Sequence, residues 1–286
     1  LPEESGHNAP ALFPTAFPDP LGTTMNKALA TLLCAVLPAV ASAVQPDVEP
    51  LTLNPQNQLY CNKQADWCVG IKVDGGFEDN GPFATSRTLR ADYRFWDLPD
   101  IPNFTRFTVW PHLIRLSEER ALVGVIGPNE PDYKEEIQFP GGSFSRRDLY
   151  LFMVDLGDKS SALAHLLPYS AKAGIRACAN EADEKRREGN CMDYYRYDAT
   201  VKALPSQQPY PDLQVTTQAT RSPADASRYA DSSKRPAPTA AQLQPQADKQ
   251  CSYTVTYKWK EDGSVYQPAT PVPDCAEFLE PQPGKK

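Results

Sequence analysis

The sequence predicts a mainly β protein of antiparallel sheets, disulfide-stapled, with one or two short helices. Three observations predict it. Apolar and aromatic residues alternate with polar ones over roughly eight short segments, the period of a half-buried strand. Turn signals separate these segments, and no strand–helix–strand rhythm of a parallel sheet runs through the chain. Once a leader is set aside, six cysteines remain: Cys61, Cys68, Cys178, Cys191, Cys251 and Cys275. An even number in an exported chain reads as disulfides. A sandwich, a barrel and a partial propeller all satisfy this pattern.

The leader comes first. Met25 to Ala43, MNKALATLLCAVLPAVASA, has the three parts of a secretory signal. Lys27 supplies the positive start, Ala28 to Val40 the apolar run, and Ala41-Ser42-Ala43 the small-x-small cleavage site. The run is about half of what a membrane-spanning helix needs. Residues 1–24 contain no Met and are read as translation from upstream of a start at Met25, or as a fused tail. Leu33 sits where a lipoprotein signal wants a small residue before its cysteine, so Cys34 is read as part of the apolar run and the product as released. The mature chain is then 44–286, a single β-rich exported domain with a loose insertion about 222–250. An alternative divides it near residue 158.

Each element follows from local pattern. LTLNPQNQLYC and WCVGIKV flank the polar turn NKQAD, with Leu59, Trp67, Val69, Ile71 and Val73 as the apolar positions. VDGGFEDNGPF reads as a loop. Leu89, Ala91, Tyr93 and Phe95 alternate as a strand, FTRFTVWPHLIRLS and SEERALVGVIG follow the same habit, and another strand covers Leu149 to Leu156. From Ser160 the period lengthens, so SSALAHLLPYSAKAGIRAC is read as holding a short helix interrupted at Pro168. ANEADEKRREGNC reads as a second, with Asn180 as cap, Asp183 completing a capping box and Gly189 ending it. Tyr195, Tyr197, Ala199 and Val201 then share one strand face. Tyr253, Val255, Tyr257 and Trp259 share another, before EDG turns the chain into SVY. AEFLEPQPGKK reads as a frayed tail.

Six cysteines allow fifteen connectivities. Their grouping suggests the local set Cys61–Cys68, Cys178–Cys191 and Cys251–Cys275. No pair is a CxxC, and the spacings do not suit zinc.

Charge narrows the partners. The chain has 29 basic and 36 acidic residues; setting aside Lys27, Glu3, Glu4 and Asp19 with the leader leaves a net charge of −5. Nucleic acid, which needs a concentrated basic footprint, is not expected. No mature segment is long and apolar enough to span a membrane as a helix.

Motifs for catalysis are sparse. His112 and His165 are the two mature histidines, and neither sits in HxxxH or HExxH. GxSxG, P-loop and GxGxxG patterns are absent from the sequence. Carboxylates remain as a route to hydrolysis: Asp155 with Asp158, and Asp193 with Asp198, since a glycosidase needs two at a fixed separation. Asp74, Glu78 and Asp79 in VDGGFEDNG are calcium candidates through their oxygens, although the order of an EF-hand is missing. No cofactor is expected.

Aromatic richness is the better lead. Tyr194, Tyr195, Tyr197, Tyr253, Tyr257, Trp259 and Tyr266 are amphipathic groups of the kind used in recognition, or the core of a sheet. DGSVY at 262–266 resembles the SGxxY-type loop with which periplasmic lysozyme inhibitors block their target's cleft. Gly263 and Tyr266 match that loop, and Asp262 stands where its serine would be. Over about the last 110 residues, IRACANEADEKRREGNCMDYYRYDATV and the terminal cysteine segment also resemble uncharacterised exported proteins of Gram-negative bacteria. These resemblances imply a periplasmic or secreted location and, through the loop, binding residues at Gly263, Tyr266, Trp259 and Tyr257. The expected function is a non-enzymatic envelope or secreted binding protein that recognises a protein or cell-wall component through aromatic loops. A peptidoglycan or polysaccharide hydrolase, a lysozyme-inhibitor or immunity-type protein and a structural envelope protein are the alternatives.

Overall fold

A computed structural model describes residues 47–73, 80–96, 106–128, 135–136, 141–222, 234–262 and 264–280. These belong to one compact unit, Ala41–Lys286, built from two antiparallel sheets.

The smaller sheet is a meander of β2 (Thr52–Asn54), β3 (Leu59–Cys61), β4 (Trp67–Lys72), β5 (Gly81–Ser86) and β6 (Ala91–Arg94), paired in that order. Its tightest corner is the NKQAD turn. The Asn62 side-chain oxygen accepts from the backbone N–H groups of Asp66 and Trp67, each at 3.2 Å. Cys61 and Cys68 sit directly opposite each other across β3 and β4 and are bridged. Trp67, Val69 and Ala84 face inward, as the alternation requires. The strand β5 begins at Gly81, where loop was expected.

The larger sheet adds β1 (Asp47–Pro50), β7 (Thr108–Arg115), β8 (Arg120–Pro128), β9 (Glu135–Glu136), β10 (Gly142–Asp155), β11 (Ser160–Arg176), β12 (Met192–Leu204), β13 (Asp212–Ser222), β14 (Gln246–Ala247), β15 (Thr254–Lys260) and β16 (Val265–Pro268). Its order is β1-β7-β8-β10-β11-β12-β13-β15-β16, with β9 on β10 and β14 on β13. The sheet curls until β16 lies beside β11. Asp155 and Ser160 pair across the β10–β11 turn.

The helix expected at the start of β11 is instead strand. Register shifts interrupt the β10–β11 ladder between Arg147 and Asp148 and between Leu151 and Phe152. Each offsets the two-residue period, so Leu163, Ala164 and Leu167 fall at helix-like spacings, Leu163 packing against one cluster and Ala164 and Leu167 lying in the other. Pro168 lies at one shift, opposite Asp148, and β12 begins to pair with β11 only at Ser170. The missing N–H of Pro168 therefore costs no ladder bond on that side.

The second helix is α1 (Glu181–Arg186). The Asn180 side chain accepts from the Asp183 N–H at 3.0 Å, Asp183 answers by accepting from the Ala179 N–H, and Gly189 at φ +80° closes the end. Cys178–Cys191 clasps this segment, and Cys251–Cys275 spans the β15–β16 hairpin, so the local disulfide set is the one formed. The terminal segment is not frayed throughout. Ala276–Leu279 forms α2, and its Phe278 is buried against Tyr195 with ring centroids 5.6 Å apart. β13, which the sequence reading passed over, also contributes core through Leu213, Val215 and Ala219. Thr217 enters that core because its hydroxyl donates to the Cys251 carbonyl at 2.7 Å.

Two hydrophobic clusters result. One fills the space between the small sheet and β7, β8 and β10; the other lines the concave side of the curled half.

Candidate functional site

The rings expected to bind a partner are placed in the second cluster. Tyr266 is 1% exposed, Trp259 3% and Tyr257 7%. The Tyr266 hydroxyl donates to the Pro211 carbonyl at 3.0 Å, and burial raises its pKa. Trp259 packs between Tyr210 and Tyr266, with centroids at 4.3 and 5.2 Å. Tyr257 packs against His165 with ring centroids 4.8 Å apart and the rings tilted, and burial pushes its hydroxyl up to about 12. Gly263 lies outside the described residues. The alternation that placed these rings on one strand face is the alternation of a core, so they present almost no surface to a partner.

The carboxylates do not converge either. On β12, Asp193 faces inward and is 1% exposed, ion-paired with the buried Arg187 at 3.1 Å. Asp198 lies on the opposite face of the same strand, paired with Arg196. Their odd spacing separates them by a sheet. Asp155 accepts from the Asp158 N–H at 3.0 Å and holds its turn. The calcium candidates Asp74, Glu78 and Asp79 lie outside the described residues. Within the described residues, no group of three His, Cys, Asp or Glu is placed to hold a metal ion. The histidines have aromatic neighbours: His112 meets Trp110 at 5.0 Å, and His165 meets Tyr257. Burial lowers the pKa of both, that of His165 to about 4.

The outward face of β10 to β13 is different. Because Tyr195 and Tyr197 point inward, Met192, Tyr194 and Arg196 must point outward. Tyr194 is 59% exposed and Met192 38%. Across the ladders, Ser143, Gly174, Tyr194 and Ser222 occupy one row, so Tyr194 stands alone among small residues. Its ring leans over Gly174: a side-chain carbon added there would sit 3.7 Å from Tyr194 Cε1 and 3.1 Å from Met192 Cε. The Ser222 hydroxyl donates to the Leu243 carbonyl at 2.9 Å, bringing the segment before β14 to the edge of this row.

The next row is Ser145, Lys172, Arg196 and Thr220, and on the other side of Tyr194 the exposed Arg176 pairs with Met192. Arg196 donates through Nε to Asp198, which raises its pKa. Three cationic side chains therefore surround one exposed aromatic ring. Tyr194 was legible in the sequence as the out-of-phase tyrosine of MDYYRYD. Lys172 and Arg176 were not, because their segment was read past as part of a helix-prone stretch.

Among the described residues, no helix is long and apolar enough to cross a membrane. No protein-family model, curated protein or solved structure matches the chain.

Proposed function

We propose that this is an exported, non-enzymatic binding protein whose recognition surface is the outward face of β11, β12 and β13 around Tyr194. One observation carries the reading: a tyrosine 59% exposed on a strand hydrogen-bonded on both sides, beside Met192, on a face otherwise made of small, polar and charged residues. A ring mounted on a rigid support offers contact area with little conformational entropy left to lose, and tyrosine is enriched where partners bind. The leader at 25–43 and the three disulfides support a periplasmic or secreted setting. The opposed directions of Asp193 and Asp198 weigh against hydrolysis through that pair.

The test is a pull-down from an envelope extract with processed, oxidised protein, run beside Tyr194→Ala. Wild type is expected to retain a partner or cell-wall component that the variant releases. Equal retention by both would remove Tyr194 from the surface, and turnover of purified cell wall would favour the hydrolase. Export is checked separately, by intact mass after expression with the leader. The product should begin at Val44 and weigh six hydrogens less than its reduced form, one pair for each bridge.

A further inference from the structure

We infer that the Tyr194 face binds an acidic polysaccharide, a glycan carrying carboxylates along its length; this rests on the binding reading above. The chemistry of the face selects the ligand. Lys172 and Arg196 are directly opposed across β11 and β12, both exposed. Like charges in that position destabilise a sheet, and an anion laid between them removes the penalty. Asp198 engages Arg196 through one nitrogen only, which leaves the rest of the guanidinium fork for a ligand carboxylate. Arg176 lies on β11 four residues beyond Lys172, roughly 13 Å along the strand. The two cations bracket Tyr194, so a linear polymer crossing the ring meets positive charge on both sides. Glu136 takes the register position opposite Ser143, at the far margin of the face, beyond the cations.

The form of the surface separates a glycan from an acidic peptide. Strand addition needs a free sheet edge and helix or polyproline docking needs an apolar groove, whereas capture of an acidic motif by cations alone makes no use of an exposed ring. Over Ser170–Arg176 the β11 backbone is paired with β10 and β12, and over Tyr194–Asp198 the β12 backbone is paired with β11 and β13. No edge is offered there. Instead the face is an aromatic ring on a floor of Gly174, Ser143, Ser145 and Thr220. A sugar ring can stack its C–H face on the tyrosine, while hydroxyls and cations take its polar rim.

Sodium polygalacturonate is the probe, with neutral dextran and poly-glutamate as controls, measured by calorimetry on the processed, oxidised protein. Wild type is expected to bind polygalacturonate, to ignore dextran, and to lose affinity as salt rises. Tyr194→Ala and the double variant Lys172→Gln/Arg176→Gln should each weaken binding about tenfold or more, with melting temperature nearly unchanged because these side chains are exposed. Tyr194→Phe should retain it. Poly-glutamate bound as tightly as polygalacturonate would overturn the glycan in favour of an acidic peptide. No binding of polygalacturonate by wild type would also overturn it. If the envelope pull-down still depends on Tyr194 in either case, the surface stands and only its ligand class falls; if that dependence is absent too, both fall.

Discussion

Single side chains carry two measurable consequences. His165 is wedged against Tyr257, and burial pushes its pKa down to about 4 from an ordinary 6.5. The unfolded chain therefore takes up the proton first as pH falls. Stability from this residue is complete above pH 6.5 and is lost on the way down to pH 4. By pH 4 the loss reaches up to about 3 kcal/mol. His165→Gln, which cannot be charged, should show a melting temperature that falls less than wild type between pH 7 and pH 4; parallel curves would refute the shift. The second consequence concerns the bridges. Cys61 and Cys68 are both half-exposed, whereas Cys251 and Cys275 are 3% and 4% exposed and the second bridge joins a half-exposed Cys191 to a buried Cys178. Mild thiol treatment followed by differential alkylation should label Cys61 and Cys68 first. The short loop they close implies a modest loss, about 2–3 kcal/mol. Early labelling of Cys251 would contradict this order.

Elements were legible wherever one face was buried and the other wet. The β15 and β12 alternations reported their directions because every second residue enters the same cluster. The α1 segment was legible through its cap and its glycine stop, which act locally and need no tertiary context. β11 was not, since two register shifts erase the period that distinguishes strand from helix. β13 was passed over because Thr217 stands in its core face and is satisfied by the carbonyl of Cys251, 34 residues further along the chain, which no local pattern reveals. The candidate site suffered from the same ambiguity: alternation identifies aromatic faces but does not say which face meets water. For α2 the outcome can be measured. Phe278 is 2% exposed and packs with Tyr195, so Phe278→Ala should cost about 3–5 kcal/mol, as buried aromatic truncations do. A change within a few tenths of a kcal/mol would return this segment to a frayed tail.

At the scale of the whole molecule, two clusters raise the question of whether the chain unfolds in one step or two. The strands β7, β8 and β10 decide it, because they are buried on both sides. Leu113, Val123 and Tyr150 face the small sheet, while their neighbours Ile114, Leu122 and Leu151 face the curled half. Neither cluster can open without exposing one face of the same three strands. Polar contacts reinforce the link: Arg115 of β7 donates to Glu49 of β1 and to both Asp66 oxygens in the turn before β4, at 3.2 Å for the latter. Cooperative units follow shared burial rather than the number of clusters. Calorimetry on the oxidised unit Ala41–Lys286 should therefore give one transition. Phe95→Ala removes a side chain from the first cluster and Leu213→Ala one from the second, both 0% exposed. Each should move that one transition downward as a whole, for a loss of about 2–5 kcal/mol. Separate peaks, with Phe95→Ala shifting one and Leu213→Ala the other, would mean that the shared strands do not couple the two cores.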